Sequence, residues 1–112
     1  MREENIAAVE AYLNALRVKD LSLAPFADEM EFEDSVAGKG SGADNFRAFL
    51  SGFLPAINAV EIFQHVCEKD TVVTHFEVDT VFGMIPILEK FRVRDGKIVE
   101  VIGYYDPRPV LG

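Results

Sequence analysis

The sequence predicts an α+β fold in which N-terminal helices pack on one face of a curved, mostly antiparallel sheet. Apolar residues recur at helical spacing in the first half of the chain, whereas residues from Val60 onward alternate as strands do. The dipeptide Asp95-Gly96 is a strong signal for a two-residue hairpin turn. Helices followed by consecutive strands are typical of the α+β class. With 112 residues, of which 49% are hydrophobic, we expect a single domain over residues 1–112.

The first helix is predicted over residues 4–19. Its buried stripe consists of apolar residues three or four positions apart, namely Ile6, Val9, Leu13 and Leu16. Tyr12 lies one turn from Val9 and Leu16, so it should border the same stripe. Residues 20–22 should end this helix, residues 23–27 should form a short helical turn, and a first strand should follow over residues 29–34.

A flexible connection is predicted over residues 37–42, and a second helix follows it. Ser41 and Asp44 have the spacing of a capping box, with Asp in place of the usual Glu or Gln. The helix has a broad apolar face, which carries Phe46, Phe49, Leu50, Phe53 and Leu54. Pro55 should mark its end.

Four strands are predicted in the second half, over residues 60–67, 71–81, 85–94 and 97–105, before an extended tail over residues 106–109. Along the second of these strands, His75, Glu77 and Asp79 share one face. Side chains spaced by two on one strand are a poor set of ligands for a single metal ion. We therefore interpret them as part of a polar outer face and expect no metal site.

Composition limits the partners that the chain can have. The formal net charge of -8 argues against nucleic acid or an anionic membrane surface, since either would repel the chain. No apolar run approaches the ~20 residues of a membrane span, and the first residues are unlike a signal peptide. Cys67 is the single cysteine and fits a reducing compartment. We expect a cytoplasmic protein.

Two acidic residues lie where the alternation calls for apolar ones. Asp34 shares its predicted face with Met30 and Phe32, and Glu89 shares its face with Phe91. A carboxyl group on the dry side of a sheet is costly unless it is paired or protonated. Misplaced acids of this kind are candidates for catalysis or ligand contact.

Several segments together resemble the nuclear transport factor 2-like superfamily, including its SnoaL-like and ketosteroid isomerase branches. They are the tyrosine-bearing first helix, Phe26-Ala27-Asp28-Glu29, Phe32-Glu33-Asp34 before a glycine-containing loop, Leu88-Glu89-Lys90-Phe91-Arg92-Val93 and Asp95-Gly96-Lys97-Ile98. The resemblance covers nearly the whole chain and implies a cone-shaped fold whose helices and sheet enclose an apolar cavity. Because this fold hosts both enzymes and plain binders, it does not by itself select an activity.

The ketosteroid isomerase branch implies a function for the misplaced acids. By position, Asp34 corresponds to its general base, and Tyr12 and Glu89 correspond to the two groups that stabilise an enolate oxygen. The resemblance implies proton transfer on a small apolar molecule, without a metal or an organic cofactor. The other residues expected to line the cavity and bind this molecule are Phe32, Phe49, Phe53, Phe76, Val78, Ile87, Val101, Gly103 and Tyr105.

Other interpretations stay open at this point. Asp34 could simply end its strand and accept hydrogen bonds from loop amides, and Glu89 could be a buried acid paired with Tyr12. The domain would then be a non-catalytic ligand-binding or dimerisation module, and a polyketide cyclase or dehydratase could use the same residues. Arg92 is predicted on the face opposite Glu89. That position disfavours an enzyme of the limonene epoxide hydrolase type, which would need an arginine between two acids inside the pocket.

The second face of the sheet is predicted to form a homodimer interface. Helices cover only one side of the sheet in this class of fold, so the other side meets a partner or water. This outer face mixes apolar Leu88 and Ile102 with charged residues such as Glu77 and Lys90.

Overall fold

The computed structural model describes residues 2–111, which form three helices and a six-stranded sheet. The helices are α1 (Arg2–Val18), α2 (Ala43–Ser51) and α3 (Arg108–Leu111), with 3-10 turns at Leu21–Leu23 and Leu54–Ala56. The strands are β1 (Phe26–Asp34), β2 (Gly38–Ser41), β3 (Ile57–Glu68), β4 (Thr71–Thr80), β5 (Gly83–Arg94) and β6 (Lys97–Tyr104).

The strands lie in the order β2-β1-β6-β5-β4-β3, and all neighbouring pairs are antiparallel except β1 and β6. α1 packs against β3, β4, β5 and β6, and α2 packs against β1 and β2. Along β4, the residues of the helix-covered face are all buried, whereas those of the other face are half-buried or exposed. The α+β fold with helices on a curved, mostly antiparallel sheet is therefore as predicted.

The core forms where the stripe of α1 meets the sheet. Val9, Tyr12 and Leu13 are almost completely buried there. The ring of Tyr12 contacts the rings of Phe26 and Phe91, with centroids 5.4 and 5.6 Å away. Acidic residues in the first turn of α1 and Arg17 in its last turn complement the helix dipole. The predicted helical periodicity thus identified the buried face of α1 correctly.

The first strand begins earlier than predicted. Residues 23–27 do not form a helical turn, because Phe26 already pairs with Ile98 and the amide of Ile98 donates to the carbonyl of Pro25. The 3-10 turn instead occupies residues 21–23, where the side chain of Asp20 accepts a hydrogen bond from the amide of Ser22 at 3.1 Å.

The predicted flexible connection and capping box are both wrong. Residues 38–41 form β2, in which Ser41 pairs with Glu31, so Ser41 cannot act as the helix cap. Gly42 takes the N-cap position of α2 without a side-chain hydrogen bond. A Cβ at Gly40 would lie 2.5 Å from the ring of Phe32, which packs over it, so a side chain there would force that ring to move.

The turn between β5 and β6 is as predicted. Asp95 and Gly96 both have positive φ, of 52° and 75°, as a tight hairpin turn requires. The predicted extended tail is wrong in part, since α3 forms where the amides of Val110 and Leu111 donate to the carbonyl of Pro107. None of the helices within residues 2–111 has the length and apolar character needed to cross a membrane.

Candidate functional site

A cavity with a volume of about 90 Å³ lies between the helices and the inner face of the sheet. This space can hold several water molecules or a small organic molecule. Its wall is mostly apolar. The predicted residues on it are Tyr12, Asp34, Phe49, Phe53, Phe76, Val78, Ile87, Glu89 and Tyr105. The others are Leu16, Leu50, Ala56, Ile57, Thr80, Phe82, Ile85 and Val110.

Three of the residues expected on this wall lie elsewhere. Phe32 and Val101 face each other across the β1–β6 pair and are buried in the core. Phe91, which pairs with Val101, completes this apolar row. Gly103 lies two residues beyond Val101 and is buried directly beneath the two acids. Phe32 and Val101 are therefore corrected from cavity lining to core packing.

The next row of the inner face brings the two acids together. Glu89 pairs with Gly103 across β5 and β6. Asp34 is the last residue of β1, and the residue before it, Glu33, pairs with Ile102 of β6. A Cβ on Gly103 would lie 3.0 Å from Oε2 of Glu89 and 3.4 Å from Oδ2 of Asp34. Both carboxyl groups thus approach the same point of the sheet, and a side chain at Gly103 would crowd them.

Asp34 has one occupied and one available oxygen. Its Oδ1 accepts hydrogen bonds from the Tyr105 hydroxyl at 2.7 Å and from the amides of Val36 and Ala37 at 2.8 and 3.2 Å. Among the described residues, no hydrogen bond engages Oδ2, the oxygen that faces Gly103 and Glu89. The side chain of Asp34 therefore caps the loop, as the non-catalytic interpretation predicts, and still presents a carboxyl oxygen to the cavity.

Glu89 is a buried acid in an apolar setting. Only 5% of the residue is exposed, and its Oε1 is the one buried side-chain polar atom in residues 2–111 without a hydrogen-bond partner. Burial raises the pKa of Glu89 to about 8, and the negative charge of Asp34 acts in the same direction, while the nearby Tyr12 hydroxyl lowers it. Glu89 is consequently protonated at neutral pH.

The two tyrosines that face the acids also remain protonated. Burial raises the pKa of Tyr12 well above its usual value, and the charge of Glu89 adds to the effect. The pKa of Tyr105 is likewise raised, first by burial and then by its hydrogen bond to Asp34. The alternation of β6 places Tyr105 on the inner face, but its bond to Asp34 joins residues 71 positions apart and has no local sequence signal.

The polar side chains of His65 and Arg92 lie outside the cavity. His65 bridges Oε2 of Glu10 at 3.0 Å and Oγ1 of Thr74 at 2.8 Å, which links α1 to the sheet. Arg92 lies 3.9 Å from Asp70 and is away from the acid pair. No group of three or more His, Cys, Asp or Glu side chains within residues 2–111 is placed to hold a metal ion.

The family is decided by a sequence match that spans most of the chain. Residues 9–101 match the model of the SnoaL-like domain. The chain belongs to the SnoaL-like family. The predicted resemblance to the nuclear transport factor 2-like superfamily and its SnoaL-like branch is thereby confirmed, whereas no curated protein matches the sequence significantly.

Solved structures share the fold of this SnoaL-like chain. A protein from Kribbella flavida is 25% identical with a TM-score of 0.86, over 94% of this chain and 88% of its own. An M. tuberculosis LEH-like epoxide hydrolase is 23% identical with a TM-score of 0.79, over 98% of this chain and 88% of its own. A putative SnoaL-like polyketide cyclase from Jannaschia sp. is 15% identical with a TM-score of 0.80, over 98% of this chain and 90% of its own.

The SnoaL-like cavity thus combines two kinds of group around one point. Glu89 and Tyr12 carry protons at neutral pH and can donate hydrogen bonds. Oδ2 of Asp34 faces the same position and can accept one. A proton donor and a proton acceptor that meet in one cavity are the elements of general acid–base chemistry.

Proposed function

We propose that this SnoaL-like protein binds a small, largely apolar molecule and moves a proton on it without a cofactor. Asp34 acts as the general base, and Tyr12 and protonated Glu89 hold the enolate oxygen that forms. The observation that carries the proposal is the convergence of the two carboxyl groups beside Gly103 in the wall of an apolar cavity. It corresponds to the ketosteroid isomerase pattern, in which one carboxylate takes a proton while a neutral carboxylic acid donates a hydrogen bond.

The two oxygens of Asp34 have different tasks in the proposed reaction. Oδ1 is fixed by the Tyr105 hydroxyl and two loop amides, so the carboxyl plane has little freedom to turn. Oδ2 is then the atom that takes the proton from carbon next to a carbonyl. A base held in position in this way avoids part of the entropic cost of aligning it with its substrate.

The substrate oxygen that becomes negative meets Glu89 and Tyr12. Because burial keeps both groups protonated, each can donate to an oxygen that becomes negative. A low-dielectric surrounding makes such hydrogen bonds stronger than they are in water. The dry cavity wall therefore favours charge development on the substrate oxygen.

Isomerisation of a β,γ-unsaturated ketone, followed by the absorbance of the conjugated product, tests this proposal. We expect turnover by the native protein and a loss of ~10²–10⁴-fold in Asp34→Asn, which is nearly isosteric and cannot accept the proton. Glu33→Gln is the matched control, since Glu33 is exposed on the other face of the same strand. Equal turnover by Asp34→Asn and the control would show that Asp34 is not the base.

A non-catalytic ligand-binding module is the second candidate. It is favoured by the loop contacts of Asp34, which give that residue a structural role independent of chemistry. Binding of apolar ketones with no turnover on any of them would select it. A cyclase or dehydratase is a third variant, supported by fold likeness to the Jannaschia protein described as a putative polyketide cyclase.

We also propose a homodimer in the cytoplasm, formed through the outer face of the sheet. His75, Leu88 and Tyr104 lie side by side across β4, β5 and β6, and the ring of Phe63 lies 5.0 Å from that of His75. Phe63, Leu88 and Tyr104 are each about half exposed, at 47, 49 and 59%. An apolar row of this kind gains stability when a second copy covers it.

A further inference from the structure

The ionisable side chains that line the cavity are all acids. Its lining includes Asp34 and Glu89, and no lysine, arginine or histidine from residues 2–111 is part of it. The formal charge of the whole chain is also strongly negative, at -8. An anionic ligand would meet repulsion at every stage of entry, whereas a cation would be attracted both at a distance and inside the cavity.

Two carboxyl oxygens that face this cavity have no hydrogen-bond partner among the described residues. Oε1 of Glu89 is buried, in a residue that is only 5% exposed, and it has no hydrogen-bond partner among the described residues. Oδ2 of Asp34 faces the same region beside Gly103. A buried acceptor without a donor is costly, so a ligand that supplies N–H groups at this point removes that cost.

The rest of the wall is suited to the apolar part of such a ligand. Phe49 and Phe53 meet edge to face with their centroids 5.1 Å apart, and Phe76, Phe82 and Tyr12 also line the cavity. Aromatic faces attract a cation as well as apolar groups, and most strongly where water is excluded. Acids at one end and aromatic rings around the remainder match a molecule with an ammonium group and a short apolar body.

We propose that the cavity binds small lipophilic ammonium ions, with the charged nitrogen between Asp34 and Glu89 and the apolar body among the phenylalanines. This ligand class goes beyond the neutral ketone of the proposed function and does not depend on any catalysis. A protonated amine donates charge-assisted hydrogen bonds to both acids, which a neutral molecule of the same shape cannot do.

Binding of an ammonium ion must also change the protonation of the site. The titratable groups that face Glu89 from the surrounding elements are Tyr12, Asp34 and Tyr105, and all are acids. A positive charge placed next to Glu89 favours its carboxylate form and so lowers its pKa. At neutral pH the ligand therefore binds as a cation, while the carboxyl of Glu89 gives up to one proton to the buffer.

Isothermal titration calorimetry with 2-phenylethylammonium and its neutral analogue 2-phenylethanol tests this inference. At pH 7 we expect the ammonium ion to bind at least about tenfold more tightly than the alcohol. Repeating the titration in two buffers of different ionisation enthalpy should show proton release that approaches one per bound ammonium ion. The alcohol should release none.

Two variants with one control locate the effect. Asp34→Asn should remove most of the preference for the ammonium ion but retain binding of the alcohol, which also shows that the cavity still forms. Glu89→Gln should abolish proton release. Glu33→Gln, which removes an exposed carboxyl from the other face of β1, should change neither result.

The inference is overturned if the native protein binds 2-phenylethanol as tightly as the ammonium ion, or if it binds neither at millimolar concentration. Tighter binding of the ammonium ion without proton release would support the site and would show that Glu89 is already ionised in the empty cavity. These results concern the native protein, so they are decisive even if a variant fails to fold. They are separate from ketone isomerisation, whose failure would remove the proposed catalysis and leave the ammonium site in place.

Discussion

Replacing Glu89 by glutamine should change how the stability of the protein depends on pH. The folded-state pKa of Glu89, about 8, lies above its unfolded value of 4.5 because the carboxyl is buried and faces Asp34. The stabilising contribution of the neutral carboxyl is fully present below about pH 4.5 and is lost as pH rises through about 8. Glutamine stays neutral throughout and suffers no such loss.

The size of the effect follows from the two pKa values. Each tenfold difference in proton affinity is worth ~1.4 kcal/mol, so the native protein should lose up to about 5 kcal/mol of stability from this group over that range. Small domains have a total stability of only about 5–15 kcal/mol. The free energy of unfolding of Glu89→Gln, relative to the native protein, should therefore rise by ~1.4 kcal/mol per pH unit through neutrality.

Urea unfolding at intervals between about pH 5 and about pH 9 measures this difference directly. Glu33→Gln is the control for losing one carboxyl group at the surface, since Glu33 is an exposed residue of β1. If the difference between Glu89→Gln and the native protein does not change with pH, Glu89 is solvated or ion-paired. Its assignment as a neutral donor would then have to be dropped.

Three further substitutions probe the site and the sheet. Tyr105→Phe removes a donor to Asp34, so ketone turnover should fall while KM stays nearly constant in steady-state kinetics; unchanged turnover would exclude a positioning role. Gly103→Ala places a methyl group 3.0 Å from Glu89, so it should reduce turnover and cost ~1–3 kcal/mol in urea unfolding; native values for both would contradict the geometry. Leu88→Glu should shift sedimentation from dimer to monomer, whereas Val18→Glu, equally exposed at the end of α1, should not; a monomeric native protein at micromolar concentration would refute the dimer.

The facing of the two acids could be predicted from the sequence because the residues around each acid, 31–34 and 85–91, alternate without a bulge. Counting residues places Asp34 and Glu89 on the buried face, and both lie there in the structure. Alternation does not tell which rows of that face reach the cavity. Phe32 and Val101 occupy a row that helices cover. The next row contains Gly103, and its Asp34 and Glu89 line the cavity.

The contacts that complete the site could not be predicted because they depend on tertiary structure. β2 exists only because residues 38–41 find an edge of β1 to pair with, and their glycines carry no local strand signal. The bond from Tyr105 to Asp34 depends on the parallel β1–β6 pairing, which no local pattern specifies. Val110 contributes to the cavity only because the tail forms α3.

Carboxyl ¹³C NMR titration of Glu89 tests the central claim most directly, namely that a neutral acid and Asp34 share one apolar site. In the native protein we expect Glu89 to titrate with a pKa of about 8. In Asp34→Asn the pKa should fall, because the charge that disfavours the Glu89 carboxylate is removed. A Glu89 pKa at or below 4.5, or one that does not respond to Asp34→Asn, would contradict the account.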